Sequence, residues 1–139
     1  MYSRILIAHD GSPGAAKALT AAIALARQSN AALHMISVEE LPRFPATVDE
    51  VIEDRKDAKR RFDSVAGRAR HLAQTENVKL ETHVVAGHPV PAIVEFVERT
   101  GCDLLVVGFF GHSALYNRLI GSTTDRLVEL APCSVLVVK

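Results

Sequence analysis

Compact apolar runs alternate along this chain with segments patterned for amphipathic helices, and that alternation restricts the possible folds. The predicted strands are RILIAHD (4–10), AALHMISV (31–38), KLETHVVAG (79–87), DLLVVG (103–108) and SVLVVK (134–139). Repeated strand–helix order favours a parallel sheet with helices on both faces, and continuous runs such as LLVV fit burial on both faces. The sequence therefore predicts an open five-stranded α/β sheet, with residues 1–139 forming a single domain.

Helix signals fill the segments between these strands. Ser12 followed by Pro13 predicts a helix start, because serine caps free N–H groups and proline suits the first helical position. Further helices are predicted over 48–74, 90–101 and 122–131, although Gly67 weakens the first of these. The expected inward positions are Ala58, Phe62, Val65, Ala69 and Leu72 in the long helix and Ile93, Phe96 and Val97 in the next.

Composition and charge exclude several classes of partner. Sixteen Lys and Arg balance sixteen Asp and Glu, so the chain lacks the electrostatic signature of a nucleic-acid binder. The basic residues between Arg55 and Arg70 alternate with acidic ones, which indicates a solvated helix face. The apolar runs are too short to span a bilayer, and MYSRILIAHDG lacks the apolar core of a signal peptide. Cys102 and Cys133 have no metal-ligand spacing, so we expect a cytoplasmic protein with buried thiols.

The stretch GFFGHSALYNRLIGSTT (108–124) is the strongest candidate for a ligand site. Its glycines follow the spacing G-x2-G-x9-G; the first ends a predicted strand and the last opens a predicted helix. A helix N-terminus offers unpaired N–H groups and partial positive charge, which suit phosphate, and glycines let the backbone approach a ligand closely. A purely structural alternative stays open, since Ser122 and Asp125 have the spacing of a capping box.

The end of the first strand is a second candidate position. In open parallel sheets, ligands bind beyond the carboxyl ends of strands where the winding direction reverses. If strands one and four are neighbours there, Asp10 and Gly108 line one crevice. Because Ser12 and Pro13 already start the helix, we expect the Asp10 carboxylate to be free for a ligand. The alternative is that Asp10 and Gly11 form a simple turn.

Taken together, these pieces resemble the universal stress protein family over essentially the whole chain. The matching pieces are ILIAHDGS, GHPVPAIVEFV, CDLLVVG, the G-x2-G-x9-G-[ST] loop and APCSVLVVK. The resemblance implies a Rossmann-like fold of the adenine nucleotide alpha hydrolase type, with strand order 3-2-1-4-5. Members that keep the glycine pattern generally bind ATP. The chain is thus expected to be an ATP-binding stress-response regulator or nucleotide-dependent switch, with Mg²⁺ or Mn²⁺ as the accompanying metal.

The resemblance also implies roles for individual residues. Asp10 would hold the ribose or assist a phosphate-bound metal. The implied adenosine contacts are Ala8, His9, Val38 and Val107. The implied ribose and phosphate contacts are Gly108, Gly111, Gly121, Ser122, Thr123 and Thr124. Phe109 and Phe110 depart from the polar residues common at these positions in the family, and they would form a partner-binding lip or pack under the loop.

Catalytic machinery is not evident in the sequence. The loop is not a Walker A motif, its only cation is Arg118, and His112 is the nearby candidate base. The other histidines, His34, His71, His83 and His88, show no metal-ligand spacing with one another or with Asp and Glu. We expect a nucleotide binder with slow or absent hydrolysis. The alternatives are a metal-dependent hydrolase using Asp10 and His112, and a nucleotide-free dimeric adaptor.

The last predicted strand, 134–139, is expected at an edge of the sheet, where an exposed apolar strand invites pairing. The resemblance implies a homodimer through this strand, because family members pair it with its twin. An unidentified regulatory protein using the same edge is the alternative.

Overall fold

The structure, a computed structural model, describes residues 1–40, 47–109 and 120–139. Its elements in chain order are β1 (Arg4–Ala8), α1 (Pro13–Ser29), β2 (Ala32–Glu40), α2 (Val48–Thr75), β3 (Leu80–Gly87), α3 (Pro89–Thr100), β4 (Leu104–Gly108), α4 (Ser122–Leu130) and β5 (Ser134–Val138). The strands form one parallel sheet in the order β3-β2-β1-β4-β5, which confirms the predicted architecture. Within the described ranges, none of the helices combines the length and the apolar character that a membrane crossing requires.

Local sequence signals set most helix ends. Ser12 is the N-cap of α1, and its Oγ accepts a hydrogen bond from the Ala15 amide at 3.2 Å. A complete capping box between Thr47 and Glu50 begins α2. Helix α3 ends at Gly101, whose φ of 70° is the left-handed conformation that glycine adopts at low cost. The predicted helix starts and stops at these positions are confirmed.

Two apolar layers enclose the sheet. Alternate strand residues such as Ile5 and Ile7 face α1 and α2, whereas Leu6 and Ile36 face α3 and α4. The predicted inward residues are buried with one exception, Leu72, which is exposed. Leu72 was predicted wrongly because it lies at the margin of the apolar stripe of α2, which is centred nearer Ala69.

The sheet has two edges, formed by β3 and β5. Both carry an exposed apolar side chain, since Val84 on β3 is 43% exposed and Leu136 on β5 is 37% exposed. The edge position predicted for the last strand is therefore confirmed. Burial of the thiols, which was expected for both cysteines, holds for Cys102, whereas Cys133 is only half-buried.

Candidate functional site

A crevice of about 810 Å³ lies beyond the carboxyl ends of the central strands. Strand β1 pairs with β2 on one side and with β4 on the other, so the winding direction reverses between β1 and β4. The predicted site residues that line this crevice are Ala8, His9, Asp10, Val38, Val107, Gly108, Gly121, Ser122, Thr123 and Thr124. Gly111, the remaining predicted site residue, lies outside the described residues, as do Phe110, His112 and Arg118.

His9, which follows β1, is fixed by hydrogen bonds of its backbone and of its ring. Its backbone amide donates to the Ile36 carbonyl at 2.9 Å, and its carbonyl accepts from the Ser37 hydroxyl at 2.8 Å. The Gly11 amide donates to Nδ1 of the ring at 3.0 Å, which places the ring proton on Nε2. Burial lowers the pKa of His9, although the Asp10 carboxylate acts in the opposite direction. The ring is therefore neutral near pH 7.

Asp10 lies at the crevice and also stabilises a turn. Its Oδ1 accepts a hydrogen bond from the Ser12 amide at 2.9 Å, and Gly11 completes the turn at a φ of 87°. The carboxylate that was expected to be free for a ligand thus also accepts a hydrogen bond from the protein, because an aspartate two residues before an amide readily closes such a turn. Asp10 therefore forms the turn and is also exposed at the crevice, because its side chain is solvent-accessible.

Close packing of β4 against the start of α1 requires a glycine at position 108. A Cβ at this position would lie 2.8 Å from both the carbonyl carbon and the oxygen of Gly14, near the start of α1. Such contacts are well inside van der Waals distance, so β4 and α1 approach this closely only without a side chain. The carbonyl of Gly108 also accepts from the Thr124 hydroxyl at 2.7 Å, which fastens α4 to the end of β4.

The start of α4 is the part of the crevice best suited to an anion. Gly121 is the N-cap, and no side chain of the described residues caps the helix. The capping-box alternative for Ser122 and Asp125 was wrong, because Ser122 is already the first helical residue. The first-turn amides at the crevice therefore lack a side-chain acceptor from the described part of the chain. The Thr124 hydroxyl donates to Gly108, so it has no hydrogen left for a ligand.

Helix α2 supplies charged residues that the sequence interpretation missed. Arg55 and Arg61 line the crevice, together with Asp54 and Asp57. These side chains are exposed, as expected of a solvated face, but that face borders the crevice. Asp54, Asp57 and Arg61 follow one another at intervals of three and four residues, which places them on one side of the helix. That spacing does not reveal what lies opposite.

Phe109 continues from β4 and is half-buried. Its amide donates to the Val138 carbonyl at 2.9 Å, and its carbonyl accepts from the Gly121 amide at 3.0 Å. The Lys139 ammonium lies 5.2 Å from the centre of its ring. Phe109 thus joins the C-terminal end of β5 to the start of α4.

The sequence shows no metal-ligand spacing among the outlying histidines, but the fold brings two of them together with a glutamate. His34, Glu81 and His83 come together on neighbouring strands, with ligand atoms all within 4.8 Å of one another. Sequence spacing failed here because His34 and His83 are 49 residues apart and meet only through pairing of β2 with β3. The informative signal was local: Glu81 and His83 are two apart on a strand and so share a face.

Comparisons with known proteins agree with this fold and site. The universal stress protein family model matches residues 1–139, and the chain belongs to that family. Universal stress protein MJ0531 of Methanocaldococcus jannaschii is 33% identical, over 100% of this chain and 83% of that protein. The solved structure of UspA from Lactobacillus plantarum is 28% identical and has a TM-score of 0.89 over 99% of this chain and 98% of that one. A universal stress protein in complex with cAMP is 26% identical, with a TM-score of 0.78 over 99% and 97% of the two chains.

Proposed function

We propose that this universal stress protein binds an adenine nucleotide, with ATP as the ligand, and acts as a nucleotide-dependent switch in its contacts with other proteins. The observation that carries the proposal is the N-terminus of α4, which has no side-chain cap from the described residues and opens into the crevice at the strand-order reversal. The unpaired backbone amides and the positive end of the helix dipole at such a terminus favour the binding of a phosphate group. A related solved protein, 26% identical, is in complex with cAMP, which supports an adenine nucleotide in particular.

Different regions of the crevice suit the base and the phosphates of a nucleotide. Ala8, Val38 and Val107 provide an apolar wall for the base beside the ends of three neighbouring strands. Across the crevice, the backbone amides of residues 122–124 and the hydroxyls of Ser122 and Thr123 are suited to phosphate. Asp10 lies two residues beyond the end of β1, at the same crevice, and exposes its side chain, which suits the ribose or a metal bound to phosphate.

Charge at the crevice favours a companion cation. Arg55 and Arg61 would attract phosphates, but Asp10, Asp54 and Asp57 would repel them. A divalent ion such as Mg²⁺ or Mn²⁺ between phosphate and Asp10 would remove this repulsion, and oxygen ligands suit such ions. When bound, the metal would neutralise phosphate charge.

We expect binding to be the main activity and hydrolysis to be slow or absent. Fast phosphoryl transfer needs positioned positive charge together with an oriented nucleophile. His9 lines the crevice, but its Nδ1 already accepts the Gly11 amide. Release of phosphate from ATP at a rate typical of dedicated hydrolases would overturn this part of the proposal.

Calorimetric titration with ATP, ADP, AMP, cAMP and adenosine, with and without Mg²⁺, tests the proposal directly. We expect saturable ATP binding that Mg²⁺ strengthens. Asp10→Asn keeps an oxygen that can accept the Ser12 amide but removes the charge, so it should weaken Mg²⁺-dependent ATP binding about ten-fold. Asp63→Asn, an exposed residue of α2, is the matched control and should bind as the wild type does. Absence of binding by any of these compounds at millimolar concentration would refute the proposal.

A homodimer through β5 is the second part of the proposal. Leu136 is exposed on this edge strand, and lysine on an edge strand opposes pairing with another strand. We expect sedimentation to show a dimer for the wild type and a monomer for Leu136→Lys. Val84→Lys places the same side chain on the opposite edge and should leave the dimer intact. A wild-type monomer, or a dimer lost only in Val84→Lys, would contradict this assembly.

A further inference from the structure

A second group of potential ligands lies outside the crevice, on the face of the sheet covered by α3. His34 on β2 is opposite Glu81 on β3, and His83 follows Glu81 by two residues on the same face. Nδ1 of His34 lies 3.2 Å from Nε2 of His83 and 3.2 Å from a carboxylate oxygen of Glu81. The three ligand atoms all lie within 4.8 Å of one another.

The hydrogen bonds among these three groups depend on the imidazole tautomers. Nδ1 of a neutral imidazole carries at most one hydrogen, and Nδ1 of His34 lies at equal distance from Nε2 of His83 and from the Glu81 carboxylate. If that nitrogen carries no hydrogen, its lone pair points toward the Glu81 carboxylate. A cation between the three groups would accept a lone pair from each.

We propose that His34, Glu81 and His83 form a binding site for a divalent transition-metal ion, with Zn²⁺ as the best-matched ion. Two imidazoles and one carboxylate are a ligand set that zinc uses, whereas Mg²⁺ and Ca²⁺ prefer oxygen alone. Zinc–ligand distances of about 2.0–2.1 Å place neighbouring ligands roughly 3 Å apart. The two separations of 3.2 Å fit this requirement, and small side-chain rotations would adjust the third.

Packing holds the two rings in place before any ion binds. The rings of His34 and His83 stack with centres 5.4 Å apart. The ring of Phe96, from α3, contacts both, at centre distances of 6.1 and 4.7 Å. His34 is 15% exposed at its side chain and Glu81 is 64% exposed, so the site is closed on the protein side and open to solvent on the other. Three protein ligands and an open side leave room for water or an additional ligand.

The charged neighbours of His34 are Glu81, whose carboxylate would stabilise a bound cation, and Arg4, whose positive charge would oppose one. The guanidinium of Arg4 donates to the Thr100 carbonyl.

This site is separate from the proposed nucleotide crevice. His34 precedes Val38, which lines the crevice, by four residues of β2, a separation of about 13 Å along an extended strand. An ion here would connect the edge strand β3 to β2 beneath α3. Binding should therefore stabilise the folded chain without needing a nucleotide.

Titration of the full chain without nucleotide tests the inference, using Zn²⁺ in competition with a chromophoric indicator and Co²⁺ as an absorbing substitute. We expect one Zn²⁺ per chain, a visible Co²⁺ absorption band and a higher melting temperature with Zn²⁺. His83→Gln should weaken Zn²⁺ binding by about ten-fold or more. His71→Gln, an exposed histidine of α2, should bind Zn²⁺ as the wild type does.

Nuclear magnetic resonance keeps the test decisive if His83→Gln fails to fold. In the wild-type chain, sub-stoichiometric Ni²⁺ should broaden the amide signals of β2 and β3 around His34 and His83 before those near His71 or Asp10. Equal Zn²⁺ affinity in the wild type and His83→Gln, broadening centred elsewhere, or no saturable Zn²⁺ binding would each overturn the inference. Loss of Zn²⁺ binding with ATP binding intact would separate this site from the crevice.

Discussion

Gly108→Ala should lower the free energy of unfolding by about 1–3 kcal/mol, the usual cost of forcing an additional methyl group into a well-packed region. The added Cβ would lie 2.8 Å from two backbone atoms of Gly14, and 3.1 Å from the amide nitrogen of Ala15. Backbone atoms cannot rotate away as a flexible side chain can. Either β4 or the start of α1 must therefore shift, which disturbs the junction that also positions Asp10 and Thr124. Urea denaturation followed by circular dichroism measures the change.

The matched control for Gly108 is another glycine in this chain. A Cβ on Gly67, inside α2, would meet no atom within 4 Å beyond its chain neighbours and the adjoining helix backbone. Alanine is favoured over glycine in a helix interior, so Gly67→Ala should raise stability by up to about 1 kcal/mol. The same chemical change thus has opposite signs at the two positions. A Gly108→Ala protein with the wild-type urea midpoint would show that the close approach of β4 to α1 does not constrain the sequence.

Thr123→Glu should weaken ATP binding by about 10- to 100-fold, equivalent to roughly 1.4–2.8 kcal/mol. Thr123 is exposed in the first turn of α4, at the proposed position of the phosphates. A carboxylate there would compete for the helix amides and repel the phosphates. The same carboxylate interacts favourably with the helix dipole, so the variant should be at least as stable as the wild type. Calorimetry with ATP, ADP, AMP and adenosine measures the effect.

The ligand series and a neutral variant make this result specific. The loss of affinity should increase with the number of phosphates and should be small for adenosine. Thr123→Gln matches the size of glutamate without its charge, and it should retain most of the ATP affinity. If adenosine were weakened as much as ATP, or if the two variants bound ATP equally, the phosphates would not lie at the start of α4.

The sequence predicted the elements of this fold because the determinants are local. Ser12 with Pro13 and Gly101 marked helix ends, and apolar strands such as LLVV required burial on both faces. Two predicted strand ends differ from the observed ones. Strand β1 ends at Ala8 and not at Asp10, because Asp10 and Gly11 form a turn, while β2 continues to Glu40 through its pairing with β3. Strand order came from the family resemblance and is confirmed by the sheet.

Alternatives for individual residues were decided by contacts between distant parts of the chain. The sequence left the start of α4 open between a capping box and an uncapped terminus, and the helix begins one residue too early for the box at Ser122. It left Gly108 open between ligand access and a structural role, and the close approach to the backbone of Gly14 supplies a structural reason without excluding the first. It treated the α2 cations as solvated, and the path of α2 places Arg55 and Arg61 at the crevice.

The sequence by itself determined the strand–helix order and the glycines and polar residues at strand ends. Periodicity, caps and turns depend on residues only a few positions apart. Only the tertiary structure decided which strand ends meet and which side chains face each other across the sheet. His34, Glu81 and His83 illustrate the difference, because their proximity arises from the register of two strands joined by a long helix, and no spacing along the chain encodes that register.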